Sequence, residues 1–368
     1  MKNGTSLYLD LIRFSAAMMV FLEHLREHTR NSFRAFWNLH PFWKLYLNPI
    51  SLTAVIVFFV LSGYVIAHVL STRENTPFSF AASRFARLYS VVAPALVLVA
   101  VTNYLEFLKF PHAFDSFGGT GAVIMDYVGY ALFTSNFWIW SDLNLANAPF
   151  WTLSLEAAYY VGIALLVFAS GRTRAISLVV LALLAGPTMI LLAPTWLVGY
   201  GTYHLSKRRK LPAVPAIVVW AGSALLLMLC PLIQFHFREH IWWVRMPDNA
   251  IGAILASYAA AICFAVNMFA FNSFAEIAER LFLSFTAQIR WLGSITFALY
   301  LFHQPLLSVF MVYTVGVPAS ASKMILLVIF TFLIVSTLGR ACEQSKNAYK
   351  NLFIWMWGRL ATRFVVAE

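Results

Sequence analysis

The sequence predicts an all-α protein, a polytopic transmembrane bundle of about ten spanning helices. Of the 368 residues, 61% are hydrophobic and only 11% are charged, which is more apolar surface than a soluble domain can bury. The apolar runs are continuous and about twenty residues long, the length of a spanning helix. Strands of a membrane barrel would instead alternate apolar and polar residues.

The predicted spans follow the apolar runs. In chain order they are 7–25, 50–70, 86–105, 149–169, 175–192, 194–206, 212–235, 249–271, 291–315 and 321–340. The span at 194–206 is short, and Pro194 is expected to kink or tilt it. The first run is too long, and too polar near its end, for a cleaved signal peptide, so we expect it to stay in the mature protein.

The run 123–140 has two interpretations: a further span, or a re-entrant or interfacial segment. With the second interpretation, most lysines and arginines fall on the side of the two chain termini, as expected for a cytoplasmic face. The net charge of +11 is then explained by topology and gives no reason to expect nucleic acid. The three cysteines show no spacing typical of a metal site or a disulfide framework.

Charged residues inside the first span are the main functional signal. Charges at membrane depth are costly and usually functional. Arg13 and His24 are eleven residues apart, which places them on one stripe of the helix, about 16 Å apart along its axis. Asp10 shares that stripe. A cation and a titratable base so arranged suit the two ends of a long anionic ligand, although satisfaction by neighbouring helices is the alternative.

Other polar residues lie in or beside later spans. Ser62 precedes Gly63, a pair that allows a ligand or another backbone to approach closely. Arg84 and Arg87 share a helix face and suit phosphate oxygens, or they only anchor the topology. Glu156 is expected at the depth of His24, where a carboxylate would raise the basicity of the imidazole.

Two residues near the end of the chain, His303 and Glu343, have two interpretations each. His303 lies beside the kink that Pro305 predicts, and it serves either a cavity or a structural hydrogen bond. Glu343 follows the last span and either joins the site or forms a salt bridge with a nearby arginine.

Five motifs in order resemble the acyltransferase-3 family of integral-membrane acyltransferases. They are LDLIRFSAAMMVFLEH, FFVLSGYVI, SRFARLY, FWTLSLEAAYY and ALYLFHQPLL. The resemblance covers about residues 7 to 343 and adds Trp151 and Tyr300 to the candidate residues. Many members have Glu-Arg/Lys-Pro after the last span. This chain has Glu343-Gln344-Ser345 and so departs from the family pattern after Glu343.

The resemblance implies an enzyme of the bacterial inner membrane that moves an acyl group, most often acetyl, from cytosolic acyl-CoA to an extracytoplasmic glycan or glycolipid. It implies His24 and Glu156 as catalytic residues and no metal. The residues implied to bind acyl-CoA or the acceptor are Asp10, Arg13, Ser62, Arg84, Arg87, Trp151, Tyr300, His303 and Glu343. Residues 1–345 would form the membrane-embedded domain and 346–368 a short basic tail, with no soluble SGNH-type domain.

The alternative function is a transporter or flippase for a glycolipid or a small solute. Polar residues along a helix and proline-kinked spans suit such a protein. Transporters, however, are often built from internal repeats with paired broken helices, and the sequence shows neither.

Overall fold

The computed structural model describes residues 2–38, 41–111, 119–138, 147–237 and 250–365. Every regular element in these ranges is helical, which confirms the all-α prediction. A short 3₁₀ turn, Leu283–Phe285, lies between the tenth and eleventh α-helices. The α-helices are α1 (Asn3–Thr29), α2 (Arg34–Asn38), α3 (Pro41–Thr72), α4 (Pro77–Lys109), α5 (Gly119–Ala131), α6 (Phe150–Phe168), α7 (Gly171–Ala185), α8 (Pro187–Arg208), α9 (Ala213–Phe237), α10 (Ala250–Phe282), α11 (Thr286–Tyr313) and α12 (Ala321–Val365).

Fewer stretches of the described chain qualify as candidate membrane spans than the ten predicted. Seven helical stretches of the described chain are long and apolar enough to cross a membrane, or eight if the bent pair α7 and α8 counts as one crossing. One of the seven, Ile254–Tyr313, contains both α10 and α11. The predicted spans 249–271 and 291–315 therefore fall on one stretch, and 175–192 and 194–206 fall on the bent pair.

The long stretch reverses its direction relative to α1 at the 3₁₀ turn. Along α10 the contacts run against α1, because Tyr8 is hydrogen-bonded to Asn267 and Gly4 to Glu279. Along α11 they run with α1, because Asp10 pairs with Arg290 and Phe21 packs on His303. Both helices thus pack against α1, one antiparallel and one parallel to it.

The sequence suggested a kink at Pro194. The break between α7 and α8 lies instead at Gly186. Gly186 has a φ of +85°, a backbone conformation that glycine adopts without steric cost. Pro187 follows it as the first residue of α8, and the two helices bend by 117°. Pro194 lies inside α8 without ending it.

Glycines bring α3 and α8 into backbone contact. A Cβ atom on Gly63 would lie 2.0 Å from the carbonyl oxygen of Trp196, and one on Gly199 would lie 1.9 Å from that of Val60. No other residue fits at either position without moving a helix. The close approach predicted for Ser62-Gly63 is therefore confirmed, and it is made by another backbone.

The first part of the run 123–140 lies in α5, which has thirteen residues, Gly119–Ala131, and is not among the candidate crossings. Residues 139 and 140 lie outside the described chain. Where the chain is described again, Asn147 is fully buried and its Nδ2 donates to the Leu301 carbonyl at 2.7 Å. Proline has no N–H, so Pro305 leaves this carbonyl without its usual helical donor. The helix α6 therefore begins inside the bundle, next to the proline of α11.

The last helix continues beyond the last predicted span. α12 has 45 residues, and the predicted boundary between residues 345 and 346 falls inside it. Near its end, Phe353 packs on Phe78 and Phe85 of α4. The residues after 345 are thus a packed continuation of the helix as far as the structure describes them.

Candidate functional site

A cavity of about 290 Å³ lies between α1, α3, α4, α6, α11 and α12. Its walls combine charged groups with apolar side chains such as Phe58 and Phe59. Seven of the eleven candidate residues from the sequence line it. They are Asp10, Arg13, Ser62, Arg87, Glu156, Tyr300 and Glu343.

Four helices each supply one cation to the cavity: Arg13, Arg87, Arg290 and Lys346. The carboxylate of Asp10 joins two of them, with its Oδ2 2.5 Å from Nη1 of Arg290 and its Oδ1 3.9 Å from Nη1 of Arg13. The attraction of both cations to one carboxylate offsets the repulsion between them. The result is a preassembled positive surface inside an apolar bundle.

Gly293 makes room for this arrangement. A Cβ atom at this position would lie 2.8 Å from both Cβ and Cγ of Asp10. The guanidinium of Arg290 also donates to Ser6 Oγ at 2.7 Å and to Asn3 Oδ1 at 3.0 Å. Arg290 thereby holds three successive turns of α1 against α11.

Glu156 lies within the same cavity and at the depth of Arg13. Its Oε1 accepts hydrogen bonds from the hydroxyl of Tyr160 and from Ser62 Oγ, the latter at 3.0 Å. It also interacts electrostatically with Arg13 and Arg87. The carboxylate therefore holds the cationic side of the cavity together.

The predicted pair of Glu156 and His24 is not what the structure shows. His24 Nδ1 lies 3.2 Å from Glu27 Oε2, one turn along α1, so Glu27 takes the place that the sequence analysis gave to Glu156. The depth estimate failed because α6 begins next to Leu301, inside the bundle. Glu156 is therefore displaced inward, away from His24.

His24 and His303 form a pair beyond one end of the cavity. Their ring centroids are 5.2 Å apart, and Phe21 packs edge-on against His303. Neither histidine lines the cavity. The nearest described link is Tyr300, which lines the cavity one helical turn before His303 and is hydrogen-bonded to Thr152 at 2.9 Å.

A family model described as an acyltransferase domain matches residues 6–340. The chain belongs to the acyltransferase-3 family. Comparisons with curated proteins and with solved structures give no match. Together with the apolar helices, the family identifies this protein as an integral-membrane acyltransferase, and the cavity and the adjoining histidine pair are its candidate active site.

The two arginines of the SRFARLY motif have different surroundings in this acyltransferase. Arg87 lines the cavity, whereas Arg84 donates to both oxygens of Glu74, at 2.9 and 3.2 Å. The Arg84 guanidinium also lies over the rings of Phe80 and Tyr160, 5.4 and 5.6 Å from their centroids. The shared helix face predicted from their spacing does not bring both arginines into the site.

Trp151 also lies outside the cavity lining of the acyltransferase. Its ring packs edge-on against Phe59 at 6.5 Å, and Phe59 itself lines the cavity. Glu343 does line the cavity, where Lys346 lies 2.5 Å away. The alternative prediction for Glu343 was a salt bridge with an arginine. The structure shows a salt bridge with a lysine, Lys346.

Sequence reasoning assigned two cavity residues of this acyltransferase to other roles. Arg290 was interpreted as a topological charge and Lys346 as the start of a tail. The available signal was helical spacing. Arg290 shares one face with Gly293 and Phe297, and Lys346 shares one face with Glu343, because residues three, four and seven apart align.

Proposed function

We propose that this acyltransferase moves an acyl group, in the first instance acetyl, from cytosolic acyl-CoA to a hydroxyl of an extracytoplasmic glycan or glycolipid. One observation carries the proposal. Arg13 in the cationic cavity and His24 in the histidine pair lie on the same helix, about 16 Å apart along its axis. This separation is of the same order as the length of the pantetheine arm of CoA.

The donor's phosphates are proposed to bind the four cavity cations, Arg13, Arg87, Arg290 and Lys346. A guanidinium matches phosphate oxygens with two parallel hydrogen bonds, and it binds them more strongly in an apolar setting than in water. The cavity also holds three carboxylates, so its four cations leave an excess of one positive charge. That excess favours an anionic ligand over a neutral one.

The pantetheine arm is proposed to follow α1 from Arg13 towards His24, and to bring the thioester to the histidine pair. His24 then takes the proton of the acceptor hydroxyl while the oxygen bonds to the acyl carbon. The carbon–sulfur bond breaks, and the proton passes to the departing sulfur. A covalent acyl-histidine at His24 is the second route, and mass spectrometry of the donor-treated protein without acceptor distinguishes it.

The proposed orientation places the cavity towards the cytoplasm. Lys2 lies 2.8 Å from Glu276 at the end of the bundle where α1 begins. The basic run 207–210 lies at the same end, because the adjoining Leu211 is hydrogen-bonded to Ser273 of α10. The excess of cations at this end supports a cytoplasmic location.

The test is donor consumption by the purified protein in lipid nanodiscs. With acetyl-CoA and a glycan acceptor, we expect release of the free CoA thiol and a mass increase of the glycan. No release with any acyl-CoA and acceptor pair would overturn the proposal. Transport of an unmodified glycolipid by the same preparation would instead support the transporter alternative, which the family assignment disfavours.

A further inference from the structure

The position of His303 fixes which of its nitrogens is protonated in the neutral ring. Its Nδ1 lies 2.7 Å from the carbonyl oxygen of Leu299, and a carbonyl oxygen only accepts hydrogen bonds. Nδ1 therefore carries the proton, and Nε2 keeps a lone pair. The side chain is fully buried, and Nε2 has no hydrogen-bond partner among the described residues. Buried polar atoms rarely stay unpaired without a reason.

The neutral His24 ring, which lies next to His303, carries its proton on the same nitrogen. Its Nδ1 points to Glu27 Oε2 at 3.2 Å, and a carboxylate also only accepts. Nδ1 of His24 is therefore the protonated nitrogen, and Nε2 is the basic one. When His24 takes a second proton, it has two N–H donors, and Glu27 already accepts from one of them.

His303 is close enough to accept from the other donor. Two imidazole rings joined by an N–H···N hydrogen bond of about 2.9 Å have centroids about 5 Å apart. The observed centroid distance is 5.2 Å, with a tilt of 40° between the ring planes. The two rings are thus at the separation that an N–H···N hydrogen bond between them requires.

We propose that His303 is a positioning residue that accepts a hydrogen bond from Nε2–H of protonated His24. The proposal rests on the function proposed above. The acceptor's O–H bond breaks as its oxygen bonds to the acyl carbon, and His24 receives the proton. The two imidazoles share that proton until the carbon–sulfur bond breaks and the CoA sulfur takes it. Both histidines end the cycle as they began it.

Two titratable residues of α1, Glu27 and His28, interact electrostatically with this pair. From α12, Phe332 packs on Phe21 at 5.4 Å and brings no charge. Two imidazoles at this distance do not both ionise readily, because like charges repel strongly where water is scarce. The pair therefore holds at most one extra proton at a time.

The first test separates turnover from donor binding. In His303→Phe, whose ring cannot accept an N–H···N hydrogen bond, we expect kcat to fall on the order of 10- to 100-fold, the factor expected for a hydrogen bond to a charged group. KM for acyl-CoA should stay within about twofold, because His303 does not line the cavity. His204→Phe on α8 is the matched control and should keep the wild-type kcat. His303→Leu replaces His303→Phe if that variant does not elute as a folded, monodisperse protein.

The second test does not depend on acyl transfer. Diethyl pyrocarbonate modifies only unprotonated imidazole, so the modification rate of His24, followed by peptide mass spectrometry from about pH 5 to about pH 9, reports its protonation. Loss of His303 removes an acceptor from protonated His24. We therefore expect the pH dependence of His24 modification in His303→Phe or His303→Leu to differ from that of the wild type.

The two tests have distinct failures. An unchanged pH dependence of His24 modification overturns the role of His303 whether or not the enzyme is active. An unchanged kcat in an active preparation also overturns it. If the wild type consumes no acyl-CoA while that pH dependence still changes, the proposed function fails and the coupling between the two histidines stands.

Discussion

The two ends of the candidate site achieve order by different means. In the cavity, Asp10 is paired with Arg290 of α11 and with Arg13 of its own helix. Glu156 accepts a hydrogen bond from Ser62 of α3 and interacts with arginines of α1 and α4. At the histidine pair, most of the packing is aromatic and aliphatic, and the tautomers are fixed by one carbonyl and one carboxylate. In the proposed function, the first region holds charge and the second lets a proton move.

This contrast separates binding from chemistry along a single helix. Changes in the cavity should act on donor affinity, and changes at the histidine pair should act on turnover. Each prediction below tests that separation, starting with the largest expected effect.

His24→Ala should reduce acyl transfer on the order of 100- to 10,000-fold, because it removes the proposed general base. Acyl-CoA binding, measured by isothermal titration calorimetry in nanodiscs, should stay near the wild-type value because the cavity is intact. Near-normal glycan acylation in this variant would contradict the assignment of His24.

Arg87→Gln should raise KM for acyl-CoA about 10- to 100-fold, since it removes a charged hydrogen-bond donor from the cavity, while kcat changes less. Arg84→Gln is the matched control from the same motif. It should change KM much less, because Arg84 is held by Glu74 outside the cavity lining. Equal effects of the two substitutions would refute the division between them.

Gly293→Ala should raise KM for acyl-CoA several-fold, because the new methyl group would displace the Asp10 side chain and with it the Arg13–Arg290 arrangement. Overpacking of this kind costs about 1–3 kcal/mol, so the unfolding temperature in detergent should fall too. Gly222→Ala, which meets no atom within 4 Å, should do neither. Diethyl pyrocarbonate modification of His24 should be the same in both variants if the two regions are independent.

Glu343→Gln should have the smallest effect. Its ion pair with Lys346 is partly exposed, and such pairs contribute about 0.2–1 kcal/mol. Freeing Lys346 should lower KM for acyl-CoA by less than about fivefold, and Lys346→Gln should shift it in the opposite direction. A higher KM in Glu343→Gln would mean that this carboxylate supports donor binding and does not compete with it.

Much of the site was predictable from residue type and helical depth. Costly charges in apolar runs identified Asp10, Arg13 and Glu156, and all three line the cavity. Local spacing supported Ser62 and Arg87 in the same way. These residues meet in one cavity because a buried charge in a membrane helix needs a polar neighbour, and the few polar residues in a bundle tend to meet.

Partner choice was not predictable, because it depends on where each helix begins in space. The sequence gives no sign that α6 starts beside Leu301, so Glu156 was placed at the depth of His24. Nor does it distinguish Arg84 from Arg87, which lie one turn apart on the same helix. In the sequence, Arg290 has the position of an ordinary interfacial charge. Only the parallel packing of α11 on α1 brings it into the cavity.

The carboxylates of the cavity have a consequence for the order of events in turnover. Acyl-CoA and the product CoA carry the same phosphates, so a cavity of cations alone would hold both equally well. Asp10, Glu156 and Glu343 compete for those cations, and each regains its ion pairs when CoA departs. If acyl-CoA binds here as proposed, these carboxylates act as internal substitutes for the ligand and limit product inhibition at the expense of donor affinity.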